Sequence, residues 1–434
     1  MEPAAWHRWG IGAAAWEWAR GLRSWVLPAL NGAFFEIFGW LGISAKSSMV
    51  SLLAVYSLAA LPVIAVVARA LLGPTGRQHQ AMALGVWIYL GCAPSLLAFA
   101  PHVLSELVSA YALVIAYAMA SGRTWWRAGH PSTGRAIALG AWSACALGLR
   151  VSLGPVALLP LLMPLVGRHW RALLQAVAAF AAIVLLFGTV DLLTWGAPFH
   201  SYIEYLRFNL FDHGADQFGV APWHWYLQVF RAGYGTVALA YLLFCNLLLL
   251  RRTWMWTAGG ALLVLMLSTQ PHKETRFVLA ALWLLSVPAA YATGILCTWA
   301  ARARAWRMPA SSVGFALSLA VLFYSNFQRK SAFYDRACAN QWGLFEAQGW
   351  VSEQPNATGI LTDDWFCSGG ATISRQLPLR TLNDARLHPV FNYFIAKVPT
   401  RVRMAEEAGL LLVHEEQGYH VYFRTPKAPN VDAP

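Results

Sequence analysis

Long apolar runs separated by short clusters of Arg set the pattern of this chain. A bilayer core of about 30 Å takes roughly 20 apolar residues per helix. Runs of this kind lie near 48–70, 81–99, 103–120, 136–149, 153–166, 172–193, 233–250, 255–270, 276–297 and 309–325. They predict about ten transmembrane helices. The two runs across 136–166 are short enough to be broken or re-entrant helices instead, which are tolerated where they line a protein cavity. From about residue 326 the pattern changes: charge rises and short alternating stretches appear. Residues 410–414 and 419–424 flank 415–418 as a β-hairpin, and an amphipathic helix precedes them at 400–408. The expected architecture is an all-α polytopic membrane protein with a small α+β soluble C-terminal domain.

Orientation follows from the basic residues, which collect on the cytoplasmic side. Arg77, Arg123, Arg127, Arg135, Arg168, Arg171, Arg251, Arg252, Arg302, Arg304 and Arg307 all fall on one side if the spans alternate. The opposite, non-cytoplasmic face then receives residues 1–47, the hinge at Arg150, a loop at 194–232, the segment 271–274 and the tail. The expected division is an outer-face amphipathic N-terminal segment 1–47, a transmembrane domain 48–325 and an outer domain 326–434. Segment 1–47 carries Trp16, Glu17, Trp18, Arg20, Arg23 and Trp25 in an interfacial pattern, with no signal peptide of the usual form. Nothing before residue 48 would carry Met1 across the membrane. A preceding transmembrane helix is therefore expected upstream of this sequence; a short tail that translocates unaided is the alternative.

Composition agrees. Of 434 residues, 58% are hydrophobic and only 12% charged, against about 25% charged in soluble domains. A water-soluble globular fold is excluded. The net charge of +12 sits in inter-span clusters rather than on one basic face, which argues against nucleic acid as a partner. The 22 Trp and 15 Tyr suit two membrane–water boundaries. Six Cys form no CxxC or CxxH pair, so neither a zinc site nor a disulfide scaffold is indicated. Cys338 and Cys367 both fall in the outer domain, where an oxidising compartment would permit a disulfide. Asn356-Ala357-Thr358 is a glycosylation sequon if that compartment is a eukaryotic lumen.

Three groups on the outer face carry candidate chemistry. His272, Lys273, Glu274 and Arg276 put four ionisable side chains within five positions at a membrane boundary, which is costly unless they meet a polar ligand or cavity. Lys273 and Arg276 suit a phosphate, Arg bidentately; a solvated helix end with snorkelling side chains is the plain alternative. In the outer loop, Trp223, His224, Trp225 and Tyr226 offer flat apolar faces with polar edges, suited to sugar rings, or else belong to an interfacial aromatic belt. Arg150, stranded between two apolar runs, and Glu106, at the outer start of another, are boundary charges of the kind that mark functional sites. No HExxH, Walker A or GxGxxG motif occurs, and the cytoplasmic loops lack an Asp-x-Asp. Asp363-Asp364 reads as a turn in the outer domain.

His272-Lys273-Glu274-x-Arg276-Phe277 resembles the His-Lys-Glu-x-Arg-Phe signature of the family 22 glycosyltransferases, the luminal mannosyltransferases of GPI-anchor and N-glycan assembly and their bacterial relatives. Trp16-Glu17-Trp18 with Arg23-Ser24-Trp25 is similar to a second family segment, and Asn209, Gly219 and Pro222–Tyr226 to its long luminal loop. The resemblance runs from about residue 2 to 280. It implies a GT-C fold, a polyprenyl-phosphate sugar donor such as dolichyl-phosphate mannose, a glycolipid or glycan acceptor, inversion at the anomeric carbon, and neither a metal nor another cofactor. It implies that His272, Lys273, Glu274, Arg276 and Arg150 serve the donor phosphate, and that Trp223–Tyr226 shape the sugar or acceptor site. The family's catalytic Asp-Glu pair precedes a Glu-Pro. Glu2-Pro3 occupies that place here, so the expected Asp base lies upstream of Met1 and the catalytic residue is unknown. A bacterial protein of this kind belongs in the inner membrane, a eukaryotic one in the endoplasmic reticulum. The rival readings are a transporter or flippase of an anionic lipid or sugar phosphate, though the paired broken helices of transporters are not evident, and an inactive homologue.

Overall fold

The protein is described by a computed structural model over residues 2–9, 16–72, 77–100, 104–121, 131–306, 342–363, 377, 379–381 and 391–424. The chain divides into two compact units, Met1–Arg20 with Leu27–Leu52 and Cys338–Pro434, and Gly21–Val26 with Leu53–Ala337.

The larger unit is a helical bundle. Ser47–Leu72, Trp170–Trp195, Trp225–Leu248 and Thr275–Ala301 are long and apolar enough to cross a membrane. Shorter helices Arg77–Cys92, Ser105–Ser121, Thr133–Leu149 and Leu250–Thr269 pack among them. Helix Leu279–Trp306 is the centre of the bundle. It lies against Arg77–Cys92, Ser105–Ser121, Trp225–Leu248 and Leu250–Thr269, and Leu282, Trp283, Leu284, Val287, Ala289 and Ala290 are all buried there. Thr133–Leu149 packs on Trp170–Trp195 at a very short separation. A Cβ added at Gly140 would collide with the Ala176 carbonyl oxygen, so only hydrogen fits between these backbones.

Of the two short runs, 136–149 is one regular helix, whereas 153–166 is broken. It consists of 3-10 turns Val151–Leu153 and Leu159–Leu161 alternating with five-residue helices Gly154–Leu158 and Leu162–Val166. Pro155, Pro160 and Pro164 explain the break, because each removes a backbone donor and clashes with the preceding turn. The aromatic group expected inside the outer loop sits at a helix start instead. The helix beginning at Trp225 is interrupted at Gly235, whose φ is 71°, just after the predicted start of that span. The predicted span at 309–325 lies outside the described residues.

The smaller unit contains a five-stranded mixed sheet in the order β2-β1-β3-β5-β4. β1 (Ile360–Thr362) pairs in parallel with β2 (Leu379–Thr381) and β3 (Tyr393–Ala396), and β5 (Tyr419–Phe423) runs antiparallel to β3 and to β4 (Leu411–Glu416). The hairpin and helix foreseen near 400–424 are both present, as β4–β5 and Pro399–Glu407. Gln417 and Gly418, with φ of 48° and 80°, form the two-residue hairpin turn whose twist matches the strands. Helix Trp342–Glu353 buries Leu344, Ala347 and Val351 against Ile360, Ile395, Tyr419 and Val421. Asp363 accepts hydrogen bonds from the Lys397 and Val398 amides at 2.8 and 2.9 Å, holding the approach to the Pro399–Glu407 helix. Asp364, Cys338 and Cys367 lie outside the described residues. In the N-terminal stretch of this unit, the helices Glu2–Trp9 and Val26–Trp40 are joined by an Arg8–Glu36 ion pair at 2.5 Å.

Candidate functional site

Three elements of the larger unit bring their ends together. Helix Ser105–Ser121 starts with Glu106 in its first turn. Helix Thr133–Leu149 ends at Arg150, whose extended backbone (φ −148°, ψ 105°) turns the chain out of the helix. Helix Leu250–Thr269 gives way to a loop and the 3-10 turn Thr275–Val278, which carries Arg276.

The charged side chains form an alternating row. Arg150 Nη1 lies 3.1 Å from Glu106 Oε1, and Arg276 Nε lies 3.4 Å from the same oxygen. Arg276 Nε is also 2.6 Å from Glu274 Oε2, and the other oxygen of Glu274 is 3.0 Å from His272 Nε2. The His272 ring ends the row against the Gly219 carbonyl, 3.0 Å from Nδ1. Exposure is greatest at Arg276, at 26%, and falls to 6% at Glu106 and 4% at Arg150. Phe277 lies beneath both guanidiniums, 5.0 Å from Arg150 and 5.7 Å from Arg276. Such stacking favours a cation in a poorly solvated place.

Each pairing has an electrostatic signature in the loop. The hydrogen bond with Glu274 raises the His272 pKa above its ordinary value, against the opposing effect of burial. Burial would raise Glu274, but the His272 hydrogen bond and the Arg276 charge hold it below the usual carboxylate range. Neither carboxylate of this row is a good proton acceptor, since each is already committed to a guanidinium.

Lys273 has a different place. Its ammonium donates to the Ala221 carbonyl at 2.9 Å and to the Gln270 carbonyl, and loss of solvent lowers its pKa. With the Ala221 amide donating to the Pro271 carbonyl at 3.0 Å, it ties the 271–274 segment to the end of the loop 194–232. The four aromatic-loop residues separate. Tyr226 is buried, with its hydroxyl on the side of Glu274 and Arg150. Trp225 and His224 are half-buried, whereas Trp223 is 70% exposed and stands edge-to-face with His224. The structure thus assembles His272, Glu274, Arg276 and Arg150 in one row, sets Lys273 and Tyr226 beside it, and leaves Trp223 outside.

Sequence reasoning placed Glu106 among the boundary charges but not among the donor-site residues, gave Arg23 an interfacial place and a family segment but no partner, and did not single out Tyr205. Arg23 stacks over Tyr205 at 5.7 Å and lies within electrostatic reach of Glu106. The available signal was charge balance. Arg150 and Glu106 are each solitary charges at apolar helix ends, and such charges are tolerated where they pair. A further buried acid, Asp191, accepts from the Ser201 amide at 2.9 Å and hydroxyl at 2.5 Å and so anchors helix His200–Leu206 of the loop 194–232.

The Alg9-like mannosyltransferase family matches residues 1–336. The chain is 24% identical over 293 residues to GPI mannosyltransferase 3 of Drosophila melanogaster, a match covering 62% of this chain and 46% of that protein. It therefore spans less than half the length of that curated relative. In fold it is similar to ArnT from Cupriavidus metallidurans bound to undecaprenyl phosphate, with a TM-score of 0.58 and 12% identity, covering 93% of this chain and 88% of that one. The apo state of ArnT gives a TM-score of 0.57 and 13% identity over 92% and 87% of the two chains. A helical bundle with apolar spans, the GT-C fold and the match across most of the sequence together make this chain a multi-pass membrane protein of the Alg9-like mannosyltransferase family.

Proposed function

We propose that this chain is a membrane glycosyltransferase, by its family an α-mannosyltransferase, acting on the non-cytoplasmic face. Its donor is a polyprenyl-phosphate sugar and its acceptor a glycan or glycolipid, with the membrane as its setting and no nucleic acid involved. The observation that carries this reading is the convergence of Arg150 and Arg276 on one buried carboxylate at a single end of the bundle. Arg251 and Arg252 stand at the far end of the helix that leads to the 271–274 loop. The charge rule that makes their side cytoplasmic makes the row's side the outer one.

In the proposed reaction the acceptor hydroxyl oxygen attacks the anomeric carbon from the side opposite the phosphate. The bond from that carbon to the phosphate oxygen breaks, its electron pair leaves with the polyprenyl phosphate, and the hydroxyl proton passes to a base. The departing phosphate gains one negative charge, and Arg276, backed by Arg150, stabilises it as it develops. Lys273 keeps the loop that carries Arg276 in place, while His272 and Glu274 fix the tilt of its guanidinium. The resemblance gives Trp223–Tyr226 the shaping of the sugar or acceptor site. Phosphate recognition here rests on guanidinium groups, so no metal or other cofactor is assigned a step. Glu106 and Glu274 are paired and do not serve as base. The resemblance assigns that role to the Asp of the family's Asp-Glu pair.

Transfer of label from polyprenyl-phosphate mannose, in membranes expressing this chain, an upstream-extended form and their Arg276→Ala variants, tests the reading. Transfer that disappears with Arg276→Ala is the expected result. Movement of the labelled lipid across the bilayer without any transfer by either form would replace the enzyme with a transporter.

A further inference from the structure

Glu106 has no task in the mechanism above, yet it sits at the centre of the row. Its Oε1 faces Arg150 at 3.1 Å and Arg276 at 3.4 Å, and Arg23 is within electrostatic reach. Its Oε2 accepts from the Ser105 hydroxyl at 3.0 Å. The contact with Arg150 is close but poorly aligned. Neither Glu106 Oε1 nor Arg150 Nη1 completes a hydrogen bond, although both side chains are more than nine-tenths buried. A buried guanidinium with an unused N–H donor has hydrogen-bonding capacity left for another anion.

Resting on the donor reading above, we infer that Glu106 is a resident counter-anion. In the unliganded protein it offsets the charge of Arg150, shares Arg276 with Glu274, and competes with the donor phosphate for both arginines, which limits how tightly the phosphate-bearing product is held. Two consequences follow from electrostatics. Without Glu106, Arg150 would lose its carboxylate and face Arg276, which keeps Glu274, in a site of low polarity, and the empty protein would be destabilised. An anionic lipid entering such a site would relieve that repulsion and bind more tightly than in the wild type. With Glu106 in place the cations stay ordered, the empty site is stable, and the spent polyprenyl phosphate leaves. Glu106 is thus a positioning residue: it acts on the phosphate through the two arginines.

The test is binding of a short-chain polyprenyl phosphate to the purified protein in detergent, with the matching phosphate-free polyprenol as control, alongside thermal unfolding. Glu106→Gln keeps the shape of the side chain and removes its charge. Its unliganded form should melt lower than wild type, its Kd for polyprenyl phosphate should fall by about tenfold, and the polyprenol should bind both alike. Turnover should drop because product release slows, and a burst of product in the first turnover would report that directly. A merely structural Glu106 would lower the melting temperature and weaken binding, with no burst; that result overturns the inference. Should Glu106→Gln not fold, Glu106→Asp replaces it, since its shorter side chain withdraws the carboxylate from both arginines. Roughly two- to threefold tighter binding is then expected, and unchanged or weaker binding overturns the inference. Failure of the wild type to bind polyprenyl phosphate, under conditions where it is folded, would remove the donor reading itself and this inference with it. Wild-type binding without tightening in either variant removes the inference alone.

Discussion

Two helices of nearly equal length show how differently the bundle uses apolar sequence. Trp170–Trp195 has 26 residues and Thr275–Ala301 has 27, and both are apolar enough to span a bilayer. Yet 17% of the most apolar stretch is buried in the first and 83% in the second. The exposed helix presents Leu174, Leu185, Leu186 and Leu193 outward and touches the bundle along a seam of small residues at Ala172 and Ala176. The buried helix is surrounded, and its entry turn carries Arg276. In a membrane an outward Leu meets lipid tails as apolar as itself, so hydropathy does not separate the two positions. What separates them is packing, and Arg276 stands at the entry to the helix that packing surrounds.

The comparison is sharpened most by removing a charge at the start of each helix. On the proposed mechanism Arg276→Ala removes a donor aimed at developing charge, and it should cut sugar transfer by on the order of a hundredfold or more. Arg171→Ala, in the first turn of the exposed helix, should leave transfer within about twofold of wild type. Equal losses in a label-transfer assay would show that position in the bundle does not matter to the chemistry. Next in size is a matched pair of truncations. Leu282→Ala, at a fully buried position, should cost about 2–5 kcal/mol through the cavity it leaves. Leu185→Ala, 61% exposed, should cost under about 0.5 kcal/mol. Unfolding in detergent measures both.

Smaller again is the effect of closing the small-residue seam. Gly140→Ala places its methyl carbon against the Ala176 carbonyl and should cost about 1–3 kcal/mol by overpacking. Gly91→Ala, with open space around it, should be neutral or slightly stabilising. Equal stabilities of the two would mean that the helices part without penalty.

The mildest effect is one of pH on the loop at the entry to the buried helix. The His272–Glu274 contact should contribute on the order of 1 kcal/mol. The His272 part is complete below the ordinary imidazole value of 6.5 and fades as pH rises through its raised folded-state value. The Glu274 part is complete above the ordinary 4.5 and fades as pH falls through its depressed value. Stability from this pair should therefore be greatest between those two ordinary values. His272→Gln should flatten the alkaline side of a melting-temperature profile; an unchanged profile would show the contact carries no weight.

Much of this was legible beforehand. The first span, the helix at 170–195 and the C-terminal hairpin follow from local signals: apolar length for the spans, and for the hairpin alternation around Gln417-Gly418. The row of charges was legible in part. His272, Glu274 and Arg276 are neighbours in the chain, and their proximity to one another needed little folding. Arg150 and Glu106 were visible as charges that required an explanation, but not as partners of each other. They are 44 positions apart, on helices whose relative rotation no local pattern encodes. Lys273 illustrates the reverse. Its sequence context suggests a phosphate ligand, and the fold turns its ammonium toward two backbone carbonyls.

By itself the sequence determined that this is a polytopic membrane protein and where most of its apolar helices run. Those properties depend on transfer of side chains between water and hydrocarbon, which composition and run length report directly. Only the tertiary structure decided which of two equally apolar helices is surrounded by protein. It also decided that Arg150, Glu106 and Arg276 meet, and that proline interrupts the segment after Arg150 into short turns. These outcomes rest on helix rotation and close backbone approach, which are set by many weak contacts acting together and are written in no single stretch of the chain.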